Sequence, residues 1–247
     1  MTIQRLALNG IPCLYSQPET GKPKATVFFY HGWSSYKEYM QFTASILSLY
    51  GYAVILPDLI HHGERGKLDC YTLDKLMNYF WKIIFQTVDE AAGLLQAAVK
   101  TCDLEEQKLV VAGESMGGFS AAGVFAQIEA FKCLVNFNGS CAWEIAEQLF
   151  RPAFGRPPAS DEELVDIRRY DPFPRLKTDK PRPILLLHGD ADTTVSVENA
   201  RYCYHELKPS YEMADQNFTL IESPNLNHYI TVDMLENCVK WLDEIFA

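Results

Sequence analysis

Ser115 stands in Gly113-Glu-Ser-Met-Gly117, a G-x-S-x-G pentapeptide in which glycines two residues on either side keep bulk away from the serine. The pattern follows the apolar run Leu109-Val-Val-Ala112 and precedes the helical run Phe119-Ser-Ala-Ala-Gly-Val-Phe-Ala-Gln-Ile. A strand–turn–helix setting of this kind lifts a serine Oγ above a sheet edge in a strained elbow. The bare pentapeptide arises by chance in roughly one chain in ten of this length, so the setting carries the inference. A phosphate-cradling βα turn is the alternative, but neither a Lys-Ser/Thr P-loop ending nor a G-x-G-x-x-G fingerprint is present.

A serine hydroxyl becomes a useful nucleophile at neutral pH only beside a base, and that base needs a carboxylate to fix its tautomer and stabilise its charge. In elbows of this type both partners follow the serine, acid before histidine. Beyond the run Ile184-Leu-Leu-Leu187 lie Asp190 and Asp192, and spacing alone does not choose between them. Beyond Phe218-Thr-Leu-Ile221 comes Ser223-Pro-Asn-Leu-Asn-His228. Of six histidines only His205 and His228 lie past these aspartates, and His205 falls within the amphipathic stretch Asn199–Leu207. Position and elimination both select His228. The developing oxyanion needs preorganised N–H donors. The backbone of Met116, next after the serine, is one. The loop Tyr30-His31-Gly32-Trp33 stands where the other is expected.

The adjacent His61 and His62 invite a metal reading, but no carboxylate or thiolate stands at a recognised ligand spacing, so a structural loop is expected, with no metal and no cofactor.

These residues need a frame. Short apolar runs at 25–30, 53–56, 109–112, 133–137, 184–187 and 218–221 alternate with helical patterns near 38–50, 73–100, 117–130, 196–207 and 231–246. Near-continuous apolar strands joined by helical crossovers predict an α/β fold, a mostly parallel central sheet covered on both faces. The segment up to Tyr15 can add an antiparallel edge. Residues 141–183 break the rhythm: no strand is evident, and Pro and Arg gather in Arg151-Pro-Ala-Phe-Gly-Arg-Pro-Pro158. Ser160 and Glu163 have capping-box spacing, predicting a short helix to about Arg169. The segment is expected to form a small helical lid inserted in a single domain spanning 1–247. Tyr79, Phe80, Trp81 and Phe85 can line a short acyl pocket, or pack as core at helical spacing.

A formal net charge of −10 in 247 residues argues against nucleic acid or an anionic membrane surface as partner. The longest apolar stretches are too short to span a bilayer, and the N-terminus lacks the pattern of a signal peptide. The seven cysteines are odd in number and contain no CxxC pair, as expected of reduced thiols in a cytoplasmic protein.

Together, His31-Gly-Trp33, Gly113-Glu-Ser-Met-Gly-Gly118, His188-Gly-Asp-Ala-Asp192-Thr-Thr-Val195 and Asn227-His228 resemble the α/β-hydrolase superfamily from about residue 25 to 240. The chain looks most like the small, propeller-free prolyl-oligopeptidase-like and dienelactone-hydrolase-like esterases. A dienelactone hydrolase carries Cys at the elbow where this chain has Ser115, and the gating domain of a prolyl oligopeptidase is absent. By that resemblance the HG-x motif makes Trp33 the second N–H donor, and HGxxDxxV makes Asp192 the triad acid, leaving Asp190 as a turn former. The stretch from Asp58 resembles the D-x-x-G-H-G-x-S loop but departs from it around Glu64-Arg65. The resemblance implies acyl transfer to water: a carboxylesterase acting on a small ester. Thioesterase and peptidase activity are alternatives on the same triad. A non-catalytic ligand-binding relative is a further one, although such proteins commonly lose a triad member and none is missing here.

Overall fold

The computed structural model describes residues 2–214 and 217–246. Eight strands form one sheet: β1 (Thr2–Leu8), β2 (Ile11–Gln17), β3 (Thr26–Tyr30), β4 (Ala53–Pro57), β5 (Leu109–Glu114), β6 (Phe131–Phe137), β7 (Ile184–Gly189) and β8 (Phe218–Ser223). Their spatial order is β1-β2-β4-β3-β5-β6-β7-β8. The pairs from β4 through β8 are parallel, and only β1–β2 and β2–β4 are antiparallel. All six apolar runs read from the sequence are strands of the parallel part.

The N-terminal edge is a full hairpin rather than one strand. Asn9 and Gly10 join its arms with φ of 51° and 76°. Asn-Gly readily adopts positive φ at both central turn positions, and this turn matches the twist of paired strands. The signal was present in the sequence, but the weak alternation of Thr2–Leu8 obscured it. β1 is almost wholly exposed, as an outermost strand can be.

The parallel strands separate two cores by the two-residue period of their side chains. Phe28, Ile55, Val111, Leu134 and Leu186 face one side, packing under α2 (Leu73–Cys102), α3 (Met116–Gln127) and α7 (Glu198–Met213). Phe29, Val54, Val110, Val135 and Leu187 face the other, under α1 (Gln41–Leu49) and α8 (Val232–Ile245). Each fully buried aliphatic or aromatic side chain contributes about 1.5–3 kcal/mol, so neither face tolerates a slip in register.

Between β6 and β7 lie three helices: α4 (Trp143–Ala153), α5 (Asp161–Tyr170) and α6 (Phe173–Thr178). The capping box at the start of α5 is present in both directions, between Ser160 and Glu163. α4 and α6 were not visible in the sequence. α4 carries Pro152 in its last turn, and α6 is only six residues long, opening on Pro172. Among the described residues, no helix is long and apolar enough to cross a membrane.

Candidate active site

β5 ends at Glu114 and α3 begins at Met116, leaving Ser115 alone between them with φ 52° and ψ −123°. A non-glycine residue there carries strain of order 1–3 kcal/mol, sustained only where the surroundings over-determine it. Here the Ser115 N–H donates to the Phe137 carbonyl at 2.9 Å, and the Gly118 and Phe119 N–H groups donate to the Ser115 carbonyl at 2.8 and 3.1 Å. A Cβ on Gly113 would strike the Gly117 carbonyl, and one on Gly117 would strike that of Tyr30. Only glycine at both positions lets helix and strands cross this closely.

The loops after β7 and β8 bring the acid and base to the same sheet edge. His228 Nε2 lies 2.8 Å from Ser115 Oγ, and His228 Nδ1 lies 2.6 Å from Asp192 Oδ2. Asp192 Oδ1 accepts the Thr194 and Val195 N–H groups at 2.8 and 2.9 Å, and His188 Nε2 stands 3.4 Å from Oδ2. Burial pushes the Asp192 carboxyl up, but hydrogen bonds from His188 and His228 outweigh it and hold the group well below the usual carboxylate range. An ionised Asp192 makes His228 Nδ1 the donor and leaves Nε2 free to accept the serine proton. Asp190 faces away: it is exposed, and its Oδ1 accepts the Asn225 N–H at 2.6 Å. Of the two aspartates, geometry couples only Asp192 to the histidine.

Two asparagines hold these loops together. Asn227 Oδ1 accepts from the Thr193 N–H at 2.9 Å and the His228 N–H at 2.8 Å, joining the acid loop to the base loop. Asn138, buried at the end of β6, donates from Nδ2 to the Tyr229 carbonyl and accepts the Gly189 N–H, both at 3.0 Å. Sequence reasoning passed over Asn138. An asparagine just past a strand end, before Gly139, was its one available signal, and its φ of 49° is the corresponding conformation.

On the other side of Ser115, the loop after β3 closes in: a side chain on Gly32 would come within 3.3 Å of Ser115 Cβ. Met116, as the first residue of α3, has an N–H without an intrahelical partner. No hydrogen bond among the described residues engages the Trp33 backbone N–H. His31 Nε2 accepts the Leu59 N–H at 3.1 Å, so Nδ1 carries the proton and donates to the Gly32 carbonyl at 2.9 Å. Burial lowers the His31 pKa to about 3, which keeps the ring neutral. Glu114, largely buried beside Gly32, is raised by that burial, against a Gly32 backbone hydrogen bond and the charge of His228.

The model of the prolyl oligopeptidase family matches residues 38–247, most of the chain and both loops that carry the acid and base. The chain belongs to that family. This prolyl-oligopeptidase-family member is 29% identical over 246 residues to Esterase YjfP of Escherichia coli (strain K12), with 97% of each chain covered. In structure it is similar to TT1662 from Thermus thermophilus, with a TM-score of 0.78, 22% identity and coverage of 99% of this chain and 98% of that one. It is also similar to acylaminoacyl peptidase of Pyrococcus horikoshii, with a TM-score of 0.71 and 16% identity. There it spans 99% of its own length but 40% of the peptidase. At these identities the two structures speak for the fold alone. The family member is an α/β-hydrolase-fold serine hydrolase.

The aromatics of α2 divide within this family member. Phe80, Trp81 and Phe85 line a cavity of about 340 Å³ against α4 and α5, whose walls include Phe150 and Phe154 but not Ser115. Phe119, one helical turn after Ser115, lies behind Phe80 and Trp81, with ring centroids 5.3 and 5.8 Å away. Tyr79 instead meets the His61 ring. His62 is fully buried, stacked on Tyr71 and edge-on to His31 and Trp33. Burial lowers its pKa. Among the described residues no group of three or more His, Cys, Asp or Glu side chains could hold a metal ion.

Proposed function

We propose that the chain is a carboxylesterase for small esters, with Ser115 as nucleophile, His228 as general base, Asp192 as its orienting acid, and the Trp33 and Met116 N–H groups as oxyanion donors. The continuous contact from Ser115 Oγ through His228 to Asp192, at 2.8 and 2.6 Å, carries this reading. Ser115 Oγ attacks the ester carbonyl while its proton passes to His228 Nε2. The carbonyl oxygen, now negative, accepts from the two backbone N–H groups in this scheme, each worth roughly 3–4 kcal/mol of transition-state stabilisation. His228 then protonates the departing alcohol, and a water activated by the same ring releases the acid from Ser115. Base, acid and donors all come from the chain, so no cofactor or metal enters the scheme.

The esterase name of the Escherichia coli relative supports ester over amide substrates. The family's own description favours a second reading, peptide hydrolysis on the same groups. We take 1–247 as a single domain in which 141–183 form a small cap. The net charge of −10 speaks for a neutral small molecule rather than nucleic acid or an anionic membrane. All seven cysteines are free thiols, which supports a reducing, cytoplasmic setting.

Purified protein is expected to hydrolyse p-nitrophenyl acetate and to be labelled by a fluorophosphonate probe. Ser115→Ala should abolish both. Turnover retained by that variant would remove Ser115 as nucleophile. Faster cleavage of a proline-containing peptide than of the ester would favour the peptidase.

A further inference from the structure

Lys37 is an unusual residue to find inside a protein: its side chain is 1% exposed. It lies in the segment between β3 and α1, four residues after Trp33. Its Nζ donates to Asp58 Oδ2 and to Glu64 Oε1, both at 2.6 Å, and stands 3.4 Å from Glu38 Oε1. Its backbone N–H donates to Asp58 Oδ1 at 3.0 Å. Asp58, fully buried, also accepts the Glu64 N–H at 2.9 Å, and Arg5 of the edge hairpin pairs with Glu38 and Glu64 from outside. The carboxylate of Asp58 thus grips the Lys37 segment at both main chain and side chain. It is itself clamped by the turn at Gly63, where any Cβ would run into it.

Buried ion pairs are poor sources of stability, because desolvation consumes most of their attraction, and a well-packed apolar pair of the same volume is often as stable. Their fixed geometry can instead set where a segment lies. The segment carrying Trp33 is fixed to the loop after β4 at two points: at His31, through the Leu59 N–H, and at Lys37, through Asp58. Trp33 lies between them, with its indole N–H on the Tyr71 carbonyl at 3.4 Å. A donor aimed at a developing oxyanion is effective only when its position is held before the charge appears.

We propose that Lys37 and Asp58 are positioning residues for the oxyanion hole, fixing the Trp33 N–H through the buried knot they form with Glu64. This rests on the assignment of the Trp33 N–H as oxyanion donor. The Lys37 side chain reaches no reacting atom; it acts through the backbone.

Three variants test the proposal: Lys37→Met, Asp58→Asn and Glu64→Gln. Each is measured for kcat and KM on p-nitrophenyl acetate, for inhibition by an aryl trifluoromethyl ketone, and for the rate ratio of an oxoester to its thionoester. Sulfur is a weaker hydrogen-bond acceptor than oxygen, so the ratio reads the oxyanion donors and is indifferent to stability. For Lys37→Met and Asp58→Asn, kcat should fall about 10- to 100-fold with KM nearly unchanged, below the 10²–10³ typical of deleting a donor outright. Ketone affinity and the oxoester-to-thionoester ratio should fall in step with kcat. Glu64, with its side chain more than half exposed, makes the mild variant that folds if the other two do not, and a fall of roughly threefold is expected from removing the charge on one of Lys37's two short acceptors. Folded variants, Glu64→Gln included, that keep the wild-type ratio and ketone affinity would overturn the proposal even if they melt earlier. Ser115→Ala, assayed alongside, separates the two failures. Activity there sinks the acyl-enzyme reading, whereas an inactive Ser115→Ala with unchanged ratios in the other variants sinks only the role of Lys37 and Asp58.

Discussion

The two flanks of Ser115 are held by opposite kinds of chemistry. On the flank of β3 and β4, the candidate oxyanion loop is tied by buried charge, with Lys37 on Asp58 and Glu64. On the flank of β6, β7 and β8, the loops carrying Asp192 and His228 are tied through backbone groups, by the amides of Asn138 and Asn227 and by Asp190 on the Asn225 N–H. The difference follows from what each flank must leave undisturbed. A histidine that gains and loses a proton in each cycle would be biased by a lysine or a second carboxylate in contact with it, so the side chains that hold its loop, Asp190 included, bond to backbone and not to the ring. A backbone N–H does not titrate, and a strong ionic anchor can hold it without altering its chemistry. The carboxylate hydrogen-bonded to His228 is Asp192, whose charge the proposed mechanism uses.

Breaking the amide flank at its charged member should have the largest effect. Asp192→Asn is expected to lower kcat by about 10³–10⁴, because the ring loses the partner that fixes its tautomer. The protein should still fold, which far-ultraviolet circular dichroism checks. Next comes Asn138→Ala, which frees the Gly189 N–H and the Tyr229 carbonyl. It should cost about 1–3 kcal/mol in chemical denaturation, and kcat should fall more than KM rises, since Ser115 to His228 alignment is what loosens. A loss of stability with kcat and KM of the folded protein unchanged would argue that Asn138 serves the fold alone.

A third prediction separates the flanks by pH. His31 is buried with its pKa lowered to about 3, against about 6.5 in an unfolded chain. Between those values the unfolded state binds the proton and the folded state does not, so stability is complete above pH 6.5 and is lost as pH falls. The slope from this one residue is about 1.4 kcal/mol per pH unit. His31→Asn should flatten the decline of the melting temperature between pH 7 and 5. A decline of unchanged steepness would place the acid sensitivity elsewhere. Asp192 acts in the same direction but lower on the scale: its depressed pKa gives stability that is lost as pH drops through the carboxylate range.

The smallest effect is expected at the cavity of α2, α4 and α5, which belongs to neither flank. Phe154→Ala should change kcat/KM for p-nitrophenyl acetate by less than about twofold, because Phe154 stacks on Phe150 in a cavity whose walls do not include Ser115. A tenfold change would bring the cavity into the substrate's path.

How much was legible varied with the range of the interactions involved. The parallel strands were readable because burial on both faces leaves near-continuous apolar runs such as Ile184-Leu-Leu-Leu187. The α5 helix was readable because its cap is local, Ser160 to Glu163. α4 and α6 were not, since their prolines and arginines read as loop until Arg151 pairs with Glu147 and Glu163, α4 packs on α5 and α6 packs on α7. Asn138, 91 residues from its partner Tyr229, and Lys37, 21 residues from Asp58, carry no motif that spacing could expose.

Residue order and local pattern alone gave the fold class and singled out Ser115 and His228 as candidate nucleophile and base. Resemblance put Asp192 ahead of Asp190, and the structure supplies the physical ground: one carboxylate turns inward to His228, the other outward to Asn225. The support behind those groups emerges only in the folded chain, as the ionic knot on one flank and the ties to backbone on the other. Such contacts join segments that meet only when the sheet forms, and a buried polar group shows its purpose only when its partner is beside it.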